Sequence, residues 1–260
     1  GLPILKTTDV YRFLFGRFWY PTYHPPEFGI LPLMLASFWV TLGALIVCVP
    51  LGVGSALFLN EIASVRVRSV LKPIIELLAS IPSIVFGLFG MLVVAPLLQN
   101  WLKIPTGLCA FTASLILGIM AVPTVSSIAE DALSFVPNSF REASYALGAN
   151  MWQTLVKVVI PAAGSGISTG IILGVSRAIG ETMTVLMVAG GAAVIPKSIF
   201  DPVRPMTSTI AAEMGEVVIG SPHYHSLFAI GLMLFLITFL FNIGAEFISR
   251  RYRLKLGHGR

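Results

Sequence analysis

Two charged side chains, Arg177 and Glu181, lie four residues apart within a long apolar run that spans residues 166–195. A charge inside a bilayer costs at least about 2.5 kcal/mol on insertion scales, so such residues usually pair or line a pathway. An Arg guanidinium stays charged at any working pH and can donate to two oxygens of a tetrahedral oxyanion at once. The sequence therefore predicts a transient anion site at Arg177, with Glu181 keeping the anion from being held too tightly.

A purely structural pair is the alternative interpretation of these two charges. Arg177 and Glu181 have the spacing of an intrahelical pair, but the order with the cation N-terminal is the less favourable one. An apolar pair would also pack there at lower cost. Hydroxyl groups in the apolar runs are weaker candidates for the same pathway, because a hydroxyl can equally be satisfied by its own helix backbone. The candidates are Thr182, Ser83 and Thr124.

Small residues recur every four positions in the run that carries the two charges: Gly166, Gly170, Gly174, Ala178 and Thr182. Such a row lets a second helix approach closely. If the run is one continuous helix with about 100° per residue, Glu181 falls about 20° and Arg177 about 60° from Gly174. Both charges should then face protein or a cavity, away from lipid.

The composition is that of a membrane protein. Of the 260 residues, 56% are hydrophobic and only 11% are charged, whereas a soluble domain carries roughly a quarter charged residues. We therefore predict an all-α, polytopic membrane domain that fills residues 1–260, has the lipid bilayer around it and binds no nucleic acid. The apolar runs predict five spans, at about residues 33–59, 74–98, 108–129, 166–195 and 226–248. The second carries Pro82, Gly87, Gly90 and Pro96, so we expect it to be bent, and we expect the third to be interrupted at Pro123.

The distribution of Lys and Arg predicts which side each connection faces. Short cytoplasmic loops are enriched in these residues, and with this arrangement ten lie on one side and six on the other. The loop at 130–165 and the basic tail at 249–260 should be cytoplasmic. The aromatic-rich segment 1–32 and the loop 196–224, with a short helix between Thr207 and Ile219, should lie outside. This orientation leads us to expect a further span before Gly1, which would make six.

The sequence shows none of the common motifs for hydrolysis. It has no G-x-x-x-x-G-K-[ST] phosphate loop, no H-E-x-x-H and no G-x-S-x-G, so we expect no catalytic residue and an energy source in a partner or a gradient. Cys48 and Cys109 lie in apolar runs and suggest no disulfide. His223 and His225 form a close pair without further ligands nearby, so no metal site is predicted.

The predicted cytoplasmic loop contains one long stretch in which polar residues alternate with apolar ones. Its sequence is REASYALGANMWQTLVKVVIP, at residues 141–161. Gly148 should separate two helices there, unless the stretch is an ordinary amphipathic loop on the headgroups. The stretch resembles the EAA loop of ABC importer permeases. The pattern of that loop is E-A-A, then three residues, G, nine further residues and I-x-L-P. Both spacings are kept, with three mild departures: Ser144 for Ala, Val158 for Ile and Ile160 for Leu.

Most of the chain also resembles phosphate-importer permeases of the PstC type. The segments that carry this resemblance are IPSIVFGLFG at 81–90, AVPTVSSIAEDAL at 121–133, GETMTV at 180–185 and FDPVR at 200–204. The resemblance implies the type I, MetI-like importer fold in a bacterial or archaeal cytoplasmic membrane. It also implies inward phosphate transport by alternating access.

The resemblance further implies a set of partners. They are a second, PstA-type permease, two cytoplasmic subunits that bind ATP and Mg, and an extracytoplasmic phosphate-binding protein. This chain would itself hold no cofactor. The residues that would couple it to the ATPase are Glu142, Ala143, Ser144, Gly148 and Pro161. A permease for another oxyanion (phosphonate, sulfate or molybdate) and an ion-gradient-driven carrier remain the alternatives.

Overall fold

The computed structural model describes residues 9–255, and side chains for residues 9–247. The helices are, in chain order, α1 (Val10–Phe15), α2 (Leu31–Leu57), α3 (Val65–Ser80), α4 (Ser83–Phe89), α5 (Ala95–Leu102), α6 (Ala110–Ser134), α7 (Asn138–Ala146), α8 (Met151–Thr154), α9 (Ile160–Gly180), α10 (Met183–Val188), α11 (Met206–Glu213) and α12 (Pro222–Lys255). Segments of π-helix lie at Phe58–Ile62, Gly90–Val94 and Leu155–Val159. The side chains of the predicted basic tail lie outside the described residues.

Five segments of the described chain are long and apolar enough to cross a membrane, which confirms the predicted all-α, five-span architecture. They are Leu31–Ile62, Ser83–Leu102, Ala110–Ser134, Met151–Gly180 and Pro222–Phe247. Even the shortest covers a hydrocarbon core of about 30 Å at about 1.5 Å per residue. Many of their large apolar side chains are exposed on this single chain, as expected for surfaces that meet lipid or another subunit, whereas Ala110–Ser134 is mostly buried.

The second span begins later than the sequence predicts. Residues 74–80 belong to α3, which ends at Ser80, and the span starts at Ser83 after Pro82. A proline cannot donate a backbone hydrogen bond and disfavours helix in the residue before it, so the chain breaks at this point. α3 is amphipathic and has no fully buried residue. The C-terminal half of α3 is apolar, so hydropathy alone did not distinguish residues 74–80 from the span that follows.

Two expectations about the third span are wrong. Pro123 does not interrupt it, because α6 runs through this residue from Ala110 to Ser134. Glu130 and Asp131 belong to the last turns of this helix and do not open the cytoplasmic loop. Glu130 is only 2% exposed, and it is held by Arg68 at 2.6 Å and Lys72 at 2.9 Å. These two cations compensate the buried carboxylate and allow the helix to continue.

The chain divides into two compact units, and four of the five boundaries between them fall inside helices. The first unit takes residues up to 45, 81–119 and 178–239, and the second takes 46–80, 120–177 and the residues from 240 onward. The sequence predicts a single domain, because no break in composition marks these boundaries. α2, α6, α9 and α12 each contribute residues to both units.

The aromatic segment before the first span forms part of the core of the first unit. Strands β1 (Trp19–Tyr20) and β2 (Glu27–Phe28) pair antiparallel. Phe13 and Trp19 are each 2% exposed and pack with Ile30, Leu33, Met206, Leu227 and Ile230. Other aromatic side chains of this segment, such as Tyr11 and Tyr23, are exposed.

Glu213, the last residue of α11, joins the outer segments of the first unit. α11 lies within the segment where a short helix was predicted. Its Glu213 carboxylate accepts hydrogen bonds from Arg204 Nη1 at 2.7 Å and from Trp19 Nε1 at 3.2 Å. The ring of His223 lies 2.8 Å from the other carboxylate oxygen. One side chain therefore connects β1, the loop before α11 and the start of α12.

We expect Glu213→Gln to lower the unfolding temperature of the purified protein in detergent by several degrees. Loss of the charge weakens hydrogen bonds that are each worth about 1.5–3 kcal/mol when one partner is charged. Glu216→Gln is the matched control, because this exposed side chain lines the same cavity of about 570 Å³ as Glu213. Equal unfolding temperatures for the two variants would contradict the role of Glu213.

Candidate functional site

The EAA-like stretch forms a short helical hairpin made of α7 and α8. Gly148 lies in the turn with a φ of +81°, in the left-handed region that favours glycine. α8 then begins with a capping box, in which the Asn150 side chain accepts from Gln153 N at 2.9 Å and the Gln153 side chain accepts from Asn150 N at 3.0 Å. The predicted arrangement of helix, glycine turn and helix is present.

The hairpin has an outer face rich in apolar and small residues. Glu142 and Ala143 are exposed, and so are the large side chains of Tyr145, Leu147 and Trp152, with Leu147 at 89%. No described element covers these side chains. An exposed apolar patch rimmed by polar groups is typical of a surface that binds another protein.

Ser144, predicted as one of the coupling residues, points away from this face. It is 8% exposed, and its hydroxyl lies 2.9 Å from the Thr154 hydroxyl across the hairpin. Ser144, which stands where the EAA pattern has Ala, thus forms a hydrogen bond with a residue ten positions later in the chain. Sequence analysis missed Thr154, because two hydroxyls across a short hairpin leave no signal in hydropathy.

Pro161 lies at the second position of α9, directly after the π segment Leu155–Val159. The Ile160 N–H donates to the Leu155 carbonyl, five residues earlier. A proline removes one helical donor, and a π segment is a common adjustment of the helix ladder near such a defect. The second helix of the hairpin, α8, and α9 therefore form one continuous helical path from Met151 to Gly180.

Arg141 connects the hairpin to two other elements of the second unit. Its Nη2 lies 2.6 Å from Glu61 Oε1, in the π segment that ends the first span. Its Nη1 donates to the Val136 carbonyl at 2.8 Å, just after α6. Sequence analysis gave this residue no role, although it directly precedes the motif, because the partner carboxylate is 80 residues away.

The fourth span breaks beside the two charges. α9 ends at Gly180, and Glu181 and Thr182 lie between it and α10. The helical projection that placed Glu181 on the small-residue face is therefore wrong, because it assumed an unbroken helix. Broken helices inside membranes are tolerated where the freed backbone groups find partners or line a cavity. Here the Thr207 hydroxyl donates to the Glu181 carbonyl at 2.7 Å.

Arg177 is half-buried in the last turn of α9. Its Nε is buried and has no hydrogen-bond partner, and the guanidinium makes no salt bridge within the described part of the chain. A cation in this state is costly unless something compensates it. Nε of Arg177 is therefore a buried donor without a partner among the described residues.

Thr184 joins two of the predicted pathway residues in the first unit. Its hydroxyl donates to the Ser83 carbonyl at 2.9 Å, and its N–H points to the Glu181 carboxylate at 3.4 Å. The Thr182 hydroxyl donates a hydrogen bond to the Gly180 carbonyl at 3.3 Å. Thr124 is half-buried on α6 in the second unit and is not part of this group.

The small-residue face of α9 packs closely on α6. A Cβ atom on Gly166 would collide with the Ala132 side chain, and one on Gly174 would lie 2.6 Å from Val125. At Gly170 the added atom would meet Ile128 at 3.3 Å. These contacts hold the helix that carries Arg177 against the third span.

A family model for the binding-protein-dependent transport system inner membrane component matches residues 48–254. The chain belongs to this family. The probable ABC transporter permease protein YqgH of Bacillus subtilis is 39% identical, over 94% of this chain and 79% of its own length. The phosphate transport system permease protein PstC of Mesorhizobium japonicum is 35% identical, over 96% and 82%.

Solved structures support the same fold. An inward-facing structure of the MetNI methionine ABC transporter matches with a TM-score of 0.64 and 20% identity, covering 86% of this chain and 94% of that one. A bacterial alginate ABC transporter, in complex with an alginate-bound periplasmic protein, matches with a TM-score of 0.68 and 15% identity, over 95% and 85%. The predicted type I, MetI-like fold is confirmed, and the chain is an ABC importer permease subunit of the PstC type.

We expect Gly166→Ala to reduce the yield of folded protein, because the new methyl group collides with Ala132. Gly164→Ala is the matched control, since its Cβ would meet nothing within 4 Å. Both changes bring the same gain of about 1 kcal/mol in helix propensity. Size-exclusion chromatography in detergent measures the folded fraction, and equal yields would contradict the close packing of α9 on α6.

Proposed function

We propose that this chain is a translocation subunit of an ATP-driven importer that moves inorganic phosphate inward by alternating access. The observation that carries the proposal is Arg177, a membrane-embedded guanidinium with a buried, unbonded Nε. A phosphate offers two oxygens to such a group and compensates its charge. The PstC names of relatives at 29–35% identity support phosphate among the oxyanions.

Glu181, the second charged residue, lowers the affinity of the proposed site for the anion. Glu181 lies in the helix break, and no described cation forms a salt bridge with it. A carboxylate near an anion pathway disfavours tight binding, and transport needs an anion that also leaves. The hydroxyls of Thr182, Ser83 and Thr124 are weaker members of the proposed pathway.

The hairpin is the proposed contact with an ATPase. Its exposed face presents Glu142, Ala143 and the large side chains around Gly148 to a cytoplasmic subunit that binds ATP and Mg. Nucleotide-driven movement of that subunit would pass into the spans as a rigid-body motion, since α8 continues into α9 without a break in the helical path. A second, PstA-type permease and an extracytoplasmic phosphate-binding protein complete the proposed complex.

We expect Arg177→Ala to abolish uptake of radiolabelled phosphate by the reconstituted complex, and Arg177→Lys to retain a small part of it, because Lys keeps the charge but not the fork. Arg66→Ala, which removes an exposed cation on α3, is the control and should transport normally. Normal phosphate uptake by Arg177→Ala would rule out the site. Equal competition by sulfate or molybdate in the wild type would favour the broader oxyanion permease.

We expect Gly148→Pro to leave the protein inserted but to uncouple ATP hydrolysis from uptake, because proline cannot adopt a φ of +81°. Gly148→Asn is the matched control, since Asn tolerates the left-handed region. The measurement is the ATP hydrolysed for each phosphate taken up. Undiminished coupling in Gly148→Pro would count against the docking role of the hairpin.

A further inference from the structure

Arg141 and Glu142 are neighbours on α7, but they differ in environment. Glu142 is exposed on the outer face of the hairpin. The side chain of Arg141 is 16% exposed and that of its partner Glu61 is 13% exposed, so the pair is largely withdrawn from water. Arg141 therefore does not belong to the surface that a partner would touch.

The guanidinium of Arg141 makes contacts in two directions. Nη2 and Nε reach the two carboxylate oxygens of Glu61 at 2.6 and 3.4 Å, which is the fork-like geometry of a strong Arg–carboxylate pair. Nη1 donates to the Val136 carbonyl at 2.8 Å, and Nη2 also approaches the Leu133 carbonyl at 3.4 Å. One planar group thus connects α7, the C-terminal end of α6 and the end of the first span.

Glu61 is itself fixed at the end of its span. Its Oε1 also accepts from the Asn60 side chain at 2.8 Å. The residue lies in the π segment Phe58–Ile62, which is continuous with α2. A displacement of α7 must therefore either carry the ends of α2 and α6 with it or break several hydrogen bonds to charged groups, each worth about 1.5–3 kcal/mol.

We infer that Arg141 is a positioning residue that transmits movement of the hairpin to the first and third spans. The inference rests on the proposed function, in which the hairpin receives the movement of an ATPase. The fourth span is reached through the continuous helix of α8 and α9, and the third span is joined to α7 by residues 135–137. The first span has no such nearby covalent connection. Arg141 supplies the link to the first span and adds side-chain contacts to the end of the third.

The test uses the reconstituted complex with Arg141→Ala and Arg141→Lys. We expect both variants to assemble with the ATP-binding subunit and to hydrolyse ATP. Arg141→Ala should need about fivefold more ATP for each anion transported, within the usual range of coupling effects. Arg141→Lys should fall between it and the wild type, because a Lys ammonium cannot contact the Glu61 carboxylate with a fork and reach the carbonyls as well.

Arg68→Ala is the matched control, since it breaks another Arg–carboxylate pair of the second unit, also at 2.6 Å, that does not involve the hairpin. This variant should lose stability without a change in the ATP requirement. In a double-mutant cycle, Glu61→Ala combined with Arg141→Ala should need no more ATP for each anion than Arg141→Ala alone. The reason is that both substitutions remove the same Arg141–Glu61 ion pair.

An unchanged ATP requirement in Arg141→Ala would overturn the inference, and so would an equal increase in Arg68→Ala. Loss of the ATP-binding subunit from Arg141→Ala would overturn it as well, because the residue would then serve docking. The ratio is measured with whichever oxyanion the wild type imports. If the proposed substrate is wrong, the wild type will import another oxyanion, and the comparison between the wild type and Arg141→Ala can still be made. A wrong substrate is therefore distinguishable from a failure of the proposed role of Arg141.

Discussion

Leaving a polar group uncompensated in hydrocarbon costs several kcal/mol, and this cost limits how the chain can cross the membrane. Helices satisfy their own backbone groups, so apolar helices can cross the membrane freely. Two departures from that pattern are compensated. Glu130 is buried against two cations, and the carbonyl at the break after α9 accepts a hydrogen bond from Thr207. The Arg177 Nε and the Ser126 hydroxyl are buried without a partner among the described residues, and of the two only Arg177 carries a charge.

Hydropathy and spacing predicted the spans and the hairpin because both signals are local. A run of apolar residues is enough to mark a span, and Gly148 is enough to mark a turn that needs a positive φ. The boundary errors arose where local signals conflict. α3 is half apolar and continues to Ser80, so its end could not be told from the next span, and Pro123 is accommodated inside α6.

The candidate site was less predictable, because its contacts join residues far apart in the sequence. Arg177 was found from its type and its apolar surroundings alone. The break after Gly180 was missed, because Gly180, although a possible helix end, was taken as part of one long apolar run. Arg141 meets Glu61 across 80 residues, and Ser144 meets Thr154 across a turn. Such pairs depend on how the helices pack, and single-chain patterns do not record that packing.

The π segment Leu155–Val159 has a consequence for the way the hairpin and the fourth span are joined. A π segment amounts to one residue added to a regular helix. One residue of an α-helix corresponds to a rotation of about 100°. This added residue therefore sets the angular phase between the outer face of the hairpin and the face of α9 that carries Arg177. The length of this segment, more than its side-chain chemistry, determines which way the charged face of the span is turned.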